Sequence, residues 1–194
     1  MNDIFDPEIW AKVPFHFWSV VFFVFGCLVG SFLNVCIHRL PLDQSVVSPP
    51  SHCPHCKYSI PWYLNLPLIT WLWLGGKCAN CRAPISVRYF IIELVTGVFF
   101  LFSWLAFGGQ SAALALVYCL VLAGFIVGTA TDFEHLIIPD QVTKGGMVAG
   151  VICTILVPKL HGFETVGLAL KSSIIGLVTG GGVLWLILNA GKLA

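Results

Sequence analysis

The sequence predicts an all-α integral membrane protein with about five transmembrane helices and one long cysteine-bearing loop. Three observations carry this. The 194-residue chain is 58% hydrophobic and only 10% charged, where a soluble domain carries about 25% charged residues. Its apolar residues gather into runs that approach or exceed the roughly 18–20 residues needed to span a bilayer. Five of its ten basic residues, Arg39, Lys57, Lys77, Arg82 and Arg88, fall in one inter-run segment. The net charge of +1 gives no bulk attraction to a nucleic-acid partner. No repeat or low-complexity tract is present.

The apolar runs predict helices over about 15–38, 90–107, 112–130, 142–158 and 167–189. The first is long and preceded by Asp3, Asp6 and Glu8. A secretory signal would have a basic start and a shorter core, so this run is read as retained. Gly108 and Gly109 make the tight turn between the second and third runs, and Pro158 and Gly162 break the chain again. The fourth run is short and glycine-rich, with Gly145, Gly146 and Gly150. Three regions follow: an N-terminal segment with the first helix (1–38), a loop region (39–89) and a transmembrane core (90–194). Lys12 is the one basic residue before the first run, so the positive-inside rule puts the 39–89 loop in the cytoplasm and the N-terminus outside. Alternation then returns the segment around 131–140 to the cytoplasmic face.

The loop contains CPHC at 53–56 and CANC at 78–81, separated by 21 residues. Each C-x2-C pair lets one tight turn offer two sulfurs to one ion, and two such pairs match a tetrahedral structural zinc site. Cys53, Cys56, Cys78 and Cys81 are the expected ligands. A cytoplasmic loop disfavours the alternative of two disulfides. Four thiolates leave no open coordination position, so the zinc shapes the loop and performs no chemistry. Cys27, Cys36, Cys119 and Cys153 lie in or beside apolar runs and read as packing residues. The aromatic segment Trp62–Leu74 is too short to span. It is expected on the membrane surface or packed against the helices.

TDFEHLIIPD, Thr131–Asp140, holds three of the nine acidic residues. A carboxylate beside a membrane helix is costly unless solvated, paired or used. Asp140 follows Pro139 and reads as the N-cap of the next helix. Glu134 and His135 read as solvated in headgroup water. Asp132 sits at a helix C-terminus, where the dipole disfavours an anion, and is therefore the candidate catalytic carboxylate. Aspartyl protease chemistry needs a second one, to share the acid and base roles on water. Asp43 and Glu93 are the other acids on that side, and neither lies in a glycine-flanked turn.

Taken in order, GSFLNVCIHRLP (Gly30–Pro41), the CPHC and CANC pairs, ISVRYFIIELVTG (Ile85–Gly97) and the D-x6-P-D pattern of TDFEHLIIPD resemble the bacterial prepilin peptidases, or type IV leader peptidases. The resemblance covers nearly the whole chain. Phe90 stands where that family usually has Pro. The resemblance implies a bacterial inner-membrane aspartyl endopeptidase. It would cut the basic leader from type IV prepilins or type II secretion pseudopilins at the cytoplasmic face. N-methylation of the new amine by S-adenosylmethionine is implied for many members, with no cofactor-binding residue assigned. Asp132 aligns with the first catalytic aspartate, and the resemblance gives Asp140 a structural role.

The family's second aspartate lies in a GxGD motif that this chain does not contain. Gly180–Gly182 runs into Val183 and reads as close helix packing. The chain is thus expected to stop short of its second catalytic aspartate and to be inactive alone. The competing reading is a zinc-stabilised membrane scaffold without catalysis. A transporter using Asp132 and Glu93 as a proton relay would show inverted repeats, and none is visible. A zinc hydrolase would need a ligand set with an open position.

Overall fold

The computed structural model describes residues 14–193. The N-terminal acids Asp3, Asp6 and Glu8, the outward placement of that end and Lys12 lie outside the described residues. Among the described residues there are five long helices: α1 (Phe15–Arg39), α3 (Val87–Phe107), α4 (Ala112–His135), α5 (Asp140–Leu156) and α6 (Val166–Leu193), with a one-turn helix α2 (Ile69–Trp73) in the loop. Four of the five, α1, α3, α4 and α6, are long and apolar enough to cross a membrane. The glycine-rich α5 has 17 residues. At about 1.5 Å per residue it reaches roughly 26 Å, short of a ~30 Å hydrocarbon core. Contacts divide the chain into one unit ending at Lys144 and a second beginning at Gly145.

In the first unit, α1, α3 and α4 pack around Phe22, Leu33, Ile37, Phe100, Trp104, Ala115, Cys119 and Val127. Small residues set the α1–α3 crossing. A Cβ on Gly26 would lie 2.8 Å from the Cα of Gly97, and one on Gly30 would lie 2.8 Å from the Cα of Glu93. Helix association in lipid depends on such close backbone approach, because lipid tails are as apolar as the side chains. At the far end the Trp104 ring stacks on Phe22 and Phe15, and its Nε1 donates to the Phe15 carbonyl at 3.2 Å. Cys27, Cys36 and Cys119 are buried free thiols, as packing residues should be.

Helix ends follow local chemistry. α3 begins three residues before the apolar run suggested, because Ser86 caps it, accepting from the Arg88 amide at 3.2 Å. Ser111 caps α4 in the same way, accepting from the Leu114 amide. α4 continues through the polar residues to His135 and stops at Leu136, which adopts φ +54° and donates to the Asp132 carbonyl at 2.8 Å. In the second unit, α5 and α6 are joined through a 3-10 turn at Pro158–His161, where Thr154 Oγ1 donates to Gly150 O and lies 3.0 Å from His161 Nε2.

Candidate functional site

The four loop cysteines come together. Their sulfurs all lie within 4.8 Å of one another. Cys53–Cys81 is 3.8 Å and Cys56–Cys78 is 3.9 Å. A disulfide would bring sulfurs to about 2.05 Å, whereas the edge of a tetrahedron with metal–sulfur bonds of ~2.3 Å is about 3.8 Å. The spacing fits a tetrahedral metal.

The local backbone explains why. Two equivalent turns are built 25 positions apart in sequence. In the first, the Lys57 amide donates to Cys53 O and the Cys53 amide to Tyr58 O. In the second, the Arg82 amide donates to Cys78 O and the Cys78 amide to Ala83 O. Lys57 (φ +59°) and Arg82 (φ +60°) both take the left-handed conformation that closes the turn. Antiparallel bridges His52–Ser59 and Lys77–Pro84 sit behind the two turns. Backbone amides aimed at the sulfurs favour thiolates. The Tyr58 amide draws Cys56 down to about 6, and the Cys81 and Asn80 amides pull Cys78 down. Cys81 rises to about 11: the Ala83 amide pulls it down, but desolvation and the three neighbouring sulfurs outweigh that pull. A divalent cation among the four relieves this competition by taking all of them as thiolates.

Asp132 lies in the last turn of α4, exposed, directly after the buried Thr131, whose hydroxyl donates back to Val127 O and Gly128 O. Two neighbours differ from expectation. Glu134 is not simply solvated: its carboxylate pairs with the Arg88 guanidinium at the start of α3. Asp140 is the first helical residue of α5 rather than its cap. It pairs with Lys144 one turn on, at 2.5 Å, while Pro139 O accepts the first helical amides. Sequence spacing could have shown the second pair, since Asp140 and Lys144 are i and i+4. The Arg88–Glu134 partners are 46 residues apart and leave no local signal.

Glu93 is also placed by the fold. Its side chain is buried in α3 and accepts the Leu68 amide at 2.8 Å, with Leu68 held at φ +60°. This bond ties the aromatic segment to α3, and Trp71 packs on Phe90 at 5.2 Å. The segment is otherwise outward-facing, with Trp62, Ile69, Leu72 and Trp73 exposed. Beneath it lies a cavity of about 530 Å³, bordered by Asn34, Tyr58, Trp71, Tyr89 and Glu93 and by the knuckle residues Cys53 and Cys78.

Fold and site together define an integral membrane protein with a cluster of four cysteines, able to hold a metal ion, between its first two spans. Residues 24–107 match the model of the bacterial peptidase A24 N-terminal domain, and 119–194 match the type IV leader peptidase family. The Aeromonas hydrophila prepilin leader peptidase/N-methyltransferase is 35% identical across 96% of this chain and 69% of its own length. The protein of that name in Myxococcus xanthus is 47% identical across 73% of this chain and 42% of its own length. A type 4 prepilin-like proteins leader peptide-processing enzyme of Escherichia coli is 37% identical over 66% of the chain and 53% of its own length. The chain belongs to the type IV leader peptidase family. No solved structure matches it.

Proposed function

We propose that Asp132 is one of the two catalytic carboxylates of a membrane aspartyl endopeptidase. The enzyme removes the leader from type IV prepilins or type II secretion pseudopilins at the cytoplasmic face of the bacterial inner membrane. One observation carries the reading: the Arg88–Glu134 pair holds the end of α4 beside the start of α3, where the cysteine loop ends. This supports Asp132 and the cysteine loop lying on one side of the membrane, and the basic residues of the loop favour the cytoplasm as that side. A prepilin presents its leader there, with its apolar helix in the bilayer.

In the cleavage step one carboxylate accepts a proton from water as it attacks the scissile carbonyl, and its partner protonates the departing amine. Asp132 supplies one group. The family resemblance assigns the other to a GxGD segment. Cys53, Cys56, Cys78 and Cys81 would hold zinc as a structural ion, since four thiolates close its coordination shell. The names of the relatives also include an N-methyltransferase activity. S-adenosylmethionine, when bound, supplies an electrophilic methyl group to the new N-terminal amine.

The test joins this chain to a relative's GxGD segment and measures prepilin processing in membranes. Processing should be lost in Asp132→Asn with zinc content unchanged. Full processing by that variant would leave a non-catalytic scaffold as the better account.

A further inference from the structure

We infer that residues 62–74 insert into the bilayer leaflet at the cysteine-loop end of α1 and α3, where phospholipid covers their apolar face, and that Glu93 is the tether holding them at that depth. The inference uses the membrane-spanning role of α1 and α3 and is independent of the catalytic assignment of Asp132.

Depth follows from α3. This helix has 21 residues, about 31 Å at ~1.5 Å per residue, which matches a hydrocarbon core of roughly 30 Å. Its ends therefore lie near the two membrane faces, and the Arg88–Glu134 ion pair marks one of them. Glu93 comes six residues after Val87, about 9 Å further in. Its carboxylate accepts the Leu68 amide at 2.8 Å, so residue 68 lies at that level and not above the membrane. α1 gives the same answer. Asn65 and Pro67 border a groove with Leu28 and Phe32, two outward-facing residues of a span. Phe32 is seven residues from Arg39, about 10 Å in from the end of its helix. Segments that lie in a membrane interface bury their apolar face by about 5–10 Å.

What the segment presents fits that level. Trp62 and Trp73 are 80% and 76% exposed, and Tyr63, Leu66, Ile69 and Leu72 are exposed with them. No charged residue falls between Lys57 and Lys77. Indole and phenol rings favour the headgroup boundary, where one end is apolar and the other wet. Left in water, a run of this composition would expose an apolar patch of the kind that marks a membrane or partner contact.

Backbone in lipid must have its polar groups paired. Pro61 and Pro67 have no amide to satisfy. The Leu64 and Asn65 amides donate to the Pro61 and Trp62 carbonyls, and those of Leu72, Leu74, Gly75 and Gly76 donate to carbonyls of residues 68–72. Leu68 precedes α2 at φ +60°, and its amide donates out of the segment, to Glu93. An acid inside a span is costly unless it is used, and this bond gives Glu93 its use. The cysteines close the neck of the loop. Cys56 and Cys78 flank the segment with their sulfurs 3.9 Å apart, so the chain enters and leaves the leaflet at one point.

The experiment is hydroxyl-radical footprinting of the purified, zinc-loaded chain in phosphatidylcholine vesicles, read by mass spectrometry. Beside it, the same chain is photolabelled by phosphatidylcholine carrying a diazirine near the headgroup end of its acyl chain. In the unaltered chain, Trp62 and Trp73 should be protected from radicals although the protein itself leaves them exposed, and the lipid label should fall on residues 62–74. Rapid oxidation of both indoles in vesicles would overturn the insertion. So would protection without lipid label, which would show a second protein chain on that face. These readouts do not depend on any variant folding. Glu93→Gln keeps an acceptor for the Leu68 amide and should retain both protection and label. Glu93→Leu removes the acceptor and should lose both on residues 62–74 while α1 and α3 stay labelled. Equal behaviour of the two variants would remove Glu93 as the tether. Prepilin cleavage enters none of these measurements, so the peptidase reading keeps its own test.

Discussion

Arg88, two residues past the cap of α3, pairs with Glu134, two residues past Asp132 on α4. The pair joins the two helices at the end that carries both the cysteine loop and the acidic stretch. It converts a run of charges at a helix terminus into a fixed corner of the molecule.

The pair is about 30% exposed on each side, so its contribution to global stability should be small, under about 1 kcal/mol. Its local effect should be larger. In Arg88→Ala or Glu134→Ala, amides of residues 132–138 should exchange with solvent faster, and the double variant should add little to either single one. Unchanged exchange in that stretch would show that the loop is held by other contacts.

Metal removal should act locally. The core among α1, α3 and α4 does not route through the sulfurs. A chelator, or Cys78→Ser, should therefore loosen residues 51–85 in hydrogen exchange while helical circular dichroism persists. Zinc content should be one ion per chain and should fall with acid, since protons compete for the four thiolates. Loss of the whole helical signal on chelation would contradict this division of labour.

The α1–α3 crossing predicts opposite outcomes for two glycines. Gly26→Ala puts a Cβ 2.8 Å from the Cα of Gly97, so the backbones must separate. Its cost should be about 1–3 kcal/mol. Gly124→Ala on α4 meets nothing within 4 Å and should gain up to about 1 kcal/mol from helix propensity. Thermal unfolding in micelles reads both, and equal effects would remove the packing argument.

What was legible in the sequence was what depends on local pattern. Apolar runs placed the long helices, and C-x2-C spacing placed the knuckles, because one turn of backbone sets both. Boundaries slipped where polar residues continue a helix: α4 runs on from 130 to His135, since loss of hydropathy does not break hydrogen bonding. The α3 start was readable in principle from Ser86, a capping residue ahead of the run. Asn34 and Glu93 were not readable as partners. Each sits in an apolar helix, 59 positions apart, and only the close approach at Gly30 brings them to one cavity.

The two aspartates of the opposed helix ends should respond to neutralisation with opposite signs. Asp132 lies in the last turn of α4, where the carbonyl end of the helix repels an anion. Asp140 opens α5, where the amide end attracts one, and it also pairs with Lys144. Asp132→Asn should therefore leave unfolding unchanged or raise stability by up to about 1 kcal/mol. Asp140→Asn should lower it by a similar amount, discounted by solvent because the Asp140 side chain is 71% exposed. The same pair should diverge in function. In the chain extended through a GxGD segment, Asp132→Asn should abolish processing in a protein at least as stable as its parent. Asp140→Asn should reduce processing only in proportion to lost folding. A residue that destabilises its helix yet cannot be replaced without losing activity is retained for chemistry. If Asp132→Asn instead unfolds the chain, Asp132 is structural and the catalytic assignment falls.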